Sequence, residues 1–326
     1  MRLIPEYEPV QKLYLCFVQD FFNTRFGYGK ALCQIIKAVQ PYLAIELLIG
    51  PPDLLYFQAE CDKYHVTLDN VSLNPDTPER SILAEYMPIF AQSEIGEDIA
   101  LIFQHPFLDK QVELKQFSQR LIPRLGFQPF ELGFAFATAH LLANEELVLL
   151  SDYFFKGEDG NTKLKFFTDH FPTQSFHIVP SLAGDITRDL DMYLWPIAPK
   201  VWIVSEYPHH TPQAASIEPA LRVLKAHNHT VHRVPGLEPI VHDDINTMPN
   251  YANGVIINQI ALVPAYQRKE DEIVSRILRD YGYQVFPIDC SEVILTNSGI
   301  HCISKTIPQS KRIVTKRSTP SSLAGA

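Results

Sequence analysis

The amino-acid sequence predicts an α/β fold, built as a five-bladed propeller of ββαβ units around a pseudo-fivefold axis. Two observations lead to this prediction. Short strand-like segments recur about every 50 residues, a period typical of repeat architectures. Each segment follows a stretch with helical periodicity and precedes a second, more apolar strand. An ordinary three-layer α/β sheet is the alternative.

The recurring strand-like segments lie at 64–69, 127–132, 176–180, 231–235 and 283–287. Each is short and bounded by turn-forming residues, as expected of strands that feed into polar loops. We therefore predict that these five segments are equivalent strands of five units.

The helical segments between them carry a 3.6-residue period. In 270–279, the clearest example, Ile273 and Ile277 lie one turn apart, with acids in the first turn and Arg in the last. Segments 219–227 and 29–39 repeat this pattern. We predict one outer helix for each unit.

The second strand of a unit is a nearly uninterrupted apolar run. Such runs occur at 44–49, 146–150, 201–204 and 255–263. Closing these strands into a ring would protect their edges from pairing with other chains. We expect residues 1–310 to form a single domain, and the basic, then small and polar, segment 311–326 to be a flexible tail.

Composition narrows the function further. The 326 residues are 46% hydrophobic and 20% charged, which is typical of a globular protein, and the net charge of −9 argues against nonspecific binding to nucleic acid or anionic membranes. No apolar run reaches the 18 residues of a membrane span, and no signal peptide begins the sequence. Five irregularly spaced cysteines indicate free thiols in a reducing compartment. We expect a cytoplasmic location.

In a radial fold, the loops at the inner strand ends converge, and ligands bind there. The polar residues in these loops are Glu85 and those of segments 137–140, 185–191, 243–253 and 297–302. They combine several carboxylates with one thiol. Carboxylates bind a guanidinium group through paired hydrogen bonds, and a cysteine thiolate is a strong nucleophile near neutral pH. The combination suits a planar, cationic substrate with an electrophilic carbon.

Several segments carry a resemblance to one family. Residues 296–308, with Ile-His-Cys at 300–302, resemble the nucleophile loop of the agmatine deiminases and the Porphyromonas-type peptidyl-arginine deiminases. Segments 251–266, 4–9 and 185–192 are similar to other parts of that family. The resemblance implies the pentein-like propeller fold of the guanidine-modifying superfamily.

The resemblance also implies a mechanism. Two carboxylates hold the guanidinium, a thiolate attacks its central carbon, and ammonia leaves. Water then hydrolyses the thiouronium intermediate to a ureido product, with a His as general acid and base. Cys302 matches the nucleophile, Asp191 matches one carboxylate, and Glu85 stands at the position of the other.

The substrate implied by the resemblance is agmatine, arginine or peptidyl-arginine. No cofactor and no metal are expected. A homodimer is compatible with the resemblance, and no nucleic-acid or membrane partner is expected.

The sequence departs from the family at the acid–base position. The family's His aligns with Asp189, the Gly before it with Arg188, and a further Glu with Ala137. Asp189 is therefore the candidate acid–base residue, and Arg188 is predicted to occupy or cover the guanidinium pocket. His301 is predicted to be structural and to point away from the site along a strand.

Three alternatives stay open. A catalytically impaired pseudoenzyme would keep the fold and bind guanidinium ligands or Arg side chains. An amidinotransferase would use an amine in place of water in the second step. A metal site could also form from nearby histidines, although their spacing matches no known motif and loop histidines in solvent are favoured: His227, His229, His232 and His242.

Overall fold

A computed structural model describes residues 1–19, 28–78, 83, 87–104, 111–157, 159–242 and 245–310. The predicted tail 311–326 and Glu85 lie outside these residues. Within them the chain has a mixed α/β fold made of small sheets.

Six α-helices form in the described ranges: α1 (Tyr28–Val39), α2 (Pro51–Tyr64), α3 (Gln111–Leu125), α4 (Gly160–His170), α5 (Pro212–Ala226) and α6 (Asp271–Asp280). The strands of the first half of the chain are β1 (Arg2–Leu3), β2 (Val10–Phe17), β3 (Ile45–Ile49), β4 (Val71–Asn74), β5 (Ile89–Gln92), β6 (Asp98–Gln104), β7 (Gln128–Ala135), β8 (Leu141–Asn144) and β9 (Leu147–Ser151). Those of the second half are β10 (Ser175–Val179), β11 (Leu194–Ala198), β12 (Val201–Glu206), β13 (Thr230–Pro235), β14 (Ile240–His242), β15 (Ile245–Thr247), β16 (Val255–Ile257), β17 (Ile260–Ala265), β18 (Gln284–Asp289) and β19 (Ser304–Pro308).

One strand pattern recurs in five of the described sheets. An antiparallel pair is followed by a parallel pair, and a helix connects the two parallel strands. The five sheets have the orders β1-β5-β6-β7, β8-β9-β10, β11-β12-β13, β16-β17-β18 and β19-β2-β3-β4, and a separate hairpin joins β14 to β15. The order β-β-α-β within each sheet agrees with the predicted unit. Closure of the units around an axis stays a prediction.

The two ends of the chain share one sheet. Strand β19 pairs antiparallel with β2, and Ser304 lies opposite Leu15. Strand β2 continues in parallel to β3 and then to β4. The turn that precedes β19 is therefore fixed against the N-terminal part of the chain.

Four of the five predicted recurring strands are confirmed as β7, β10, β13 and β18. The prediction for 64–69 was wrong, because α2 continues to Tyr64 and ends at His65 in the left-handed conformation, with φ of 53°. The equivalent strand is β4, a few residues later. The predicted run 255–263 is two strands, since Asn258, at φ of 55°, makes a tight turn between β16 and β17.

Two glycines allow close packing beneath the loops at the site. A Cβ atom on Gly299 would lie 2.2 Å from Oδ1 of Asn253, and one on Gly254 would lie 2.4 Å from the ring of Trp195. Real Cβ atoms do not approach other atoms so closely. Gly299 therefore lets the turn before β19 pack against the loop before β16, and Gly254 lets that loop pack against Trp195 in β11.

Candidate active site

Four loop segments meet at one buried centre. They are the turn at 138–140 before β8, the loop at 185–192 before β11, the segment 250–254 before β16, and the turn at 297–303 before β19. All four lie in or beside the loops that the sequence predicts to converge.

Cys302 lies in the last of these turns and is 5% exposed. Its Sγ is 3.8 Å from Oδ2 of Asp191 and 3.5 Å from Nδ2 of Asn253, which donates to the sulfur. The predicted closeness of the thiol to Asp191 is therefore confirmed, while the roles of both residues stay predictions.

The two carboxylate oxygens of Asp191 differ in their hydrogen bonding. Its Oδ2 accepts hydrogen bonds from Nδ2 of Asn253 at 2.7 Å and from Nδ1 of His301 at 2.8 Å. Its Oδ1 is buried and has no hydrogen-bond partner among the described residues. A buried carboxylate oxygen without a partner is costly, so this atom is the natural place for a ligand donor.

His301 joins Asp191 to a second acid. Its Nε2 lies 2.6 Å from Oε2 of Glu6, and Nζ of Lys305 lies 3.3 Å from the other oxygen of Glu6. We call the set Glu6, Asp191, His301 and Lys305 the neutralised side of the site, because cations alternate with carboxylates along it.

The prediction that His301 points away from the site was wrong. It assumed a strand, whereas residues 300–303 form a turn and β19 begins only at Ser304. Side chains of a turn do not alternate between two faces. His301 can therefore contact the same carboxylate as Cys302.

The ionisation of the neutralised side follows from its pairing. Burial lowers the pKa of His301, but Glu6 and Asp191 outweigh it and raise that pKa to about 10. Burial likewise raises the pKa of Glu6, but His301 and Lys305 outweigh it and hold that pKa well below its usual range. His301 is therefore an imidazolium held between two carboxylates.

A second group of acids lies near Asp191. Asp189 is 8% exposed, and its Oδ1 lies 3.0 Å from Nε2 of His140. Oδ2 of Asp185 accepts hydrogen bonds from the hydroxyl of Thr187 and from the backbone amide of Arg188. We call Asp185, Asp189 and His140 the acidic side.

The acidic side contains no cationic partner among the described residues comparable to His301 or Lys305. Burial, with the nearby charges of Asp191 and Asp185, raises the pKa of Asp189 well above its usual value. Burial is also the main cause that raises the pKa of Asp185. Burial lowers the pKa of His140 to about 4, so this imidazole is neutral near pH 7.

The same buried carboxylates also act on the thiol of Cys302. Burial raises its pKa well above the usual value, and the carboxylates of Asp191 and Asp189 raise it further. Hydrogen bonds with the backbone of Gly299 and with the side-chain amide of Asn253 lower this pKa in part. Without a bound cationic ligand, Cys302 is a thiol rather than a thiolate.

Asn253 orders this centre. Its backbone amide donates to Oδ1 of Asn250, and its own Oδ1 accepts from the backbone amide of His301 at 2.9 Å. Its Nδ2 donates both to Asp191 and to Cys302. The sequence placed Asn253 and His140 in converging loops without singling out either, because a lone Asn or His in a loop carries no motif.

Arg188 does not occupy a buried pocket, while the alternative that it covers the guanidinium pocket stays a prediction. The residue is exposed, and its φ of 65° is left-handed. Its backbone, rather than its guanidinium, ties it to the site, with the carbonyl accepting from Ser151. The region expected to hold the second carboxylate, Glu85, lies outside the described residues.

The alternative of a metal site at the histidines gains no support from the three whose contacts the structure describes, and His229 is buried rather than in solvent. Nε2 of His227 contacts His177, Nδ1 of His229 accepts from the indole of Trp202, and Nε2 of His232 contacts Tyr281. In the described ranges, no group of three or more His, Cys, Asp or Glu residues has an arrangement that could hold a metal ion. None of the described helices is long and apolar enough to cross a membrane.

Residues 166–308, less than half of the chain, match the model of the Porphyromonas-type peptidyl-arginine deiminase family. The resemblance found in the sequence is thus confirmed for this part of the chain. No curated protein matches the sequence.

Solved structures extend the likeness to nearly the whole fold. The C. jejuni agmatine deiminase has a TM-score of 0.81 at 16% identity, covering 95% of this chain and 96% of the other. A Cys-to-Ser variant of that enzyme, described as having substrate bound, gives a TM-score of 0.80 at the same identity and coverage. A structure described as the putative arginine deiminase of Porphyromonas gingivalis gives 0.77 at 15% identity, over 94% and 98%.

A more distant structure is the dimethylarginine dimethylaminohydrolase DDAH of Pseudomonas aeruginosa, in a mutant complexed with citrulline. It has a TM-score of 0.53 at 14% identity, covering 92% of this chain and 100% of the other. The mixed α/β fold is therefore similar to that of agmatine deiminase and DDAH.

Proposed function

We propose that this protein hydrolyses a guanidinium group to a ureido product and ammonia, with Cys302 as the nucleophile. One observation carries the proposal. Sγ of Cys302 lies 3.8 Å from the carboxylate of Asp191, and the other oxygen of that carboxylate is buried without a partner among the described residues. A guanidinium N–H bound to this oxygen would bring the central carbon of the substrate near the sulfur.

The charge of the site supports a cationic substrate. Asp185, Asp189 and Asp191 lie together, and the described residues of the acidic side supply no cation. A bound guanidinium would offset these negative charges. It would therefore lower the pKa of both Cys302 and Asp189, so that the nucleophile ionises when the substrate is present.

The first chemical step forms a bond between Sγ and the guanidinium carbon. Asp189 accepts the thiol proton and passes it to a terminal nitrogen, so that the C–N bond breaks and ammonia leaves. In the second step Asp189 takes a proton from water and the hydroxyl adds to the thiouronium carbon. The C–S bond then breaks as the carbonyl forms, the proton of the added hydroxyl passes to the sulfur, and Asp189 releases its proton to solvent. The ureido product leaves and Cys302 is regenerated.

The substrate class follows from fit and resemblance. Agmatine, arginine and peptidyl-arginine all present a terminal guanidinium, and the substrate-bound C. jejuni relative supports a small guanidinium ligand. We propose that Glu85 supplies the second carboxylate, that the reaction uses no cofactor, and that the protein works in the cytoplasm. We also propose that residues 1–310 form one five-bladed propeller, since the β-β-α-β order recurs in five sheets.

One observation favours a second candidate, a pseudoenzyme that binds guanidinium groups without turnover. Asp189 stands where the family resemblance implies His, and the pKa of Cys302 lies far above the usual range. A thiol that stays protonated would leave a binding site for guanidinium ligands or Arg side chains.

The test is incubation with agmatine, free arginine and an arginine-containing peptide, followed by measurement of ammonia and ureido product. Cys302→Ala should abolish turnover, while Cys290→Ala, which removes another buried thiol at the end of β18, should retain it. Acid quenching and mass spectrometry should trap an adduct on Cys302.

Binding of a guanidine by the wild-type protein, with neither product nor adduct, would overturn the hydrolase and support the pseudoenzyme. An amidino product that forms only when a primary amine is supplied would instead indicate the transferase.

A further inference from the structure

We propose that His140 is a positioning residue that holds Asp189 in its acid–base role, with the carboxyl facing the reacting atoms and the imidazole behind it. The catalytic part of this inference rests on the proposed function. It adds a residue that neither the sequence motif nor the family resemblance assigns.

The geometry supports a direct partnership. His140 is 1% exposed, and its Nε2 lies 3.0 Å from Oδ1 of Asp189. The ring is fixed from behind by Phe154, which packs edge-on with ring centroids 4.6 Å apart. The short helical turns at 138–140 and 190–192 lie against each other, so the pairing links two of the four loops of the site.

The unpaired nitrogen identifies the tautomer. Nδ1 of His140 is buried and has no hydrogen-bond partner among the described residues. Buried donors without partners are rarer in proteins than under-used acceptors. The favourable tautomer therefore carries its hydrogen on Nε2, which donates to Asp189, and leaves Nδ1 as a lone pair.

The hydrogen bond from Nε2 of His140 affects the pKa of Asp189. A hydrogen bond donated to a carboxylate stabilises its charged form and so lowers its pKa. The groups around Asp189 act both ways, since Asp185 and Asp191 raise its pKa while Thr187 and the imidazolium of His301 lower it. His140 adds a neutral donor, which offsets part of the burial penalty without adding a charge.

The charges around His140 keep that donor in place. Asp152, Asp185 and Asp191 each favour protonation of the ring, but burial outweighs them and holds the pKa of His140 at about 4. The ring therefore stays neutral across the working range of pH. Asp189 can then exchange its proton with the substrate while its bond to Nε2 persists.

The experiment compares two amide variants of different reach. In His140→Gln the side-chain amide can reach the place of Nε2 and donate to Asp189, whereas in the shorter His140→Asn it cannot. The readout is infrared titration of the protonated carboxyl band, assigned to Asp189 by its loss in Asp189→Asn. This measurement needs no turnover.

We expect the midpoint of this band to rise by about one to two pH units in His140→Asn, the size expected for losing a hydrogen bond to a charged group. In His140→Gln it should stay within about half a unit of the wild type. If turnover is present, kcat should fall by about ten-fold or more in His140→Asn with KM little changed, and its pH profile should move with the band.

Equal midpoints in the wild type and both variants would overturn the inference, as would the absence of any carboxyl band that Asp189→Asn removes. If the midpoint shifts in His140→Asn but neither the wild type nor any variant shows turnover, the Asp189–His140 pairing is supported and the proposed hydrolase activity is contradicted. Circular dichroism checks that each variant is folded. Should His140→Asn not fold, a midpoint in His140→Gln more than one unit from the wild type would count against the donor role.

Discussion

The neutralised side and the acidic side of the site contain the same residue types in opposite states. On the neutralised side, Glu6 faces the cations of His301 and Lys305, and its pKa is held well below the usual range. On the acidic side, burial and neighbouring carboxylates raise the pKa of Asp189 well above its usual value. The comparison teaches that the nearest counter-charge, rather than burial alone, decides whether an acid in this site is ionised.

The two sides should also contribute to stability with opposite signs. An acid whose pKa falls on folding stabilises the folded protein at neutral pH, whereas an acid whose pKa rises destabilises it there. The neutralised side would therefore stabilise the centre, while the acidic side would store unfavourable charge that a cationic ligand can relieve. The following predictions test this difference.

The largest effect is expected from His301→Leu. This change removes the imidazolium that faces both Glu6 and Asp191 and leaves the buried Asp191 without its cation. Breaking a buried ion pair in this way should lower the free energy of unfolding by about 3–5 kcal/mol, measured by urea denaturation. His209→Leu, at an exposed position, should change it by less than about 0.5 kcal/mol. A small loss in His301→Leu would show that the pairing of His301 with Glu6 and Asp191 does not stabilise the fold.

A smaller effect is expected from the pH dependence of the neutralised side. The pKa of His301 rises from its ordinary value near 6.5 to about 10, so its contribution is complete below pH 6.5 and is lost as the pH rises through 10. The pKa of Glu6 is lowered, so its contribution is present above its ordinary value near 4.5 and is lost as the pH falls. The contributions of both residues are therefore complete only between about pH 4.5 and 6.5, and stability should be greatest in that range.

Glu6→Gln tests whether Glu6 causes the loss of stability at low pH. The side chain of Glu6 is 34% exposed, and water screens part of its interaction. We expect a loss of about 1–2 kcal/mol at pH 7 and a flatter decline in stability below pH 5, measured by denaturation at a series of pH values. If the stability of Glu6→Gln fell below pH 5 as steeply as that of the wild type, groups other than Glu6 would be responsible for the loss of stability in acid.

The smallest effect, and one of opposite sign, is expected from Asp189→Asn. The raised pKa means that ionised Asp189 costs stability as the pH rises above the ordinary Asp value. Removing the charge should raise the free energy of unfolding by about 1 kcal/mol at pH 7, measured in the same urea assay. A loss equal to that of Glu6→Gln would erase the contrast between the two sides.

Much of this arrangement could be predicted from sequence. Periodicity placed four of the five recurring strands, because strand and helix patterns are local properties of the chain. It failed at 64–69, where the decisive feature is the left-handed backbone of His65 at the end of α2, and at Asn258, whose turn splits one apolar run. Both features depend on backbone conformations that hydrophobic pattern does not encode.

The site was predicted in part. Cys302 and Asp191 came from the family resemblance, and their closeness is confirmed. His140 and Asn253 could not be singled out, since each acquires its role only from a neighbour far along the chain. The position of His301 was misjudged because a strand was assumed where the chain makes a turn.

The pairing of β19 with β2 has a consequence for how the protein is made. The turn that contains Cys302 immediately precedes β19, and its His301 bonds to Glu6 across 295 residues of sequence. A nascent chain emerging from the ribosome would hold Glu6 and the acidic loops long before the thiol appears. The site would thus be complete only after β19 has been made and has docked onto β2.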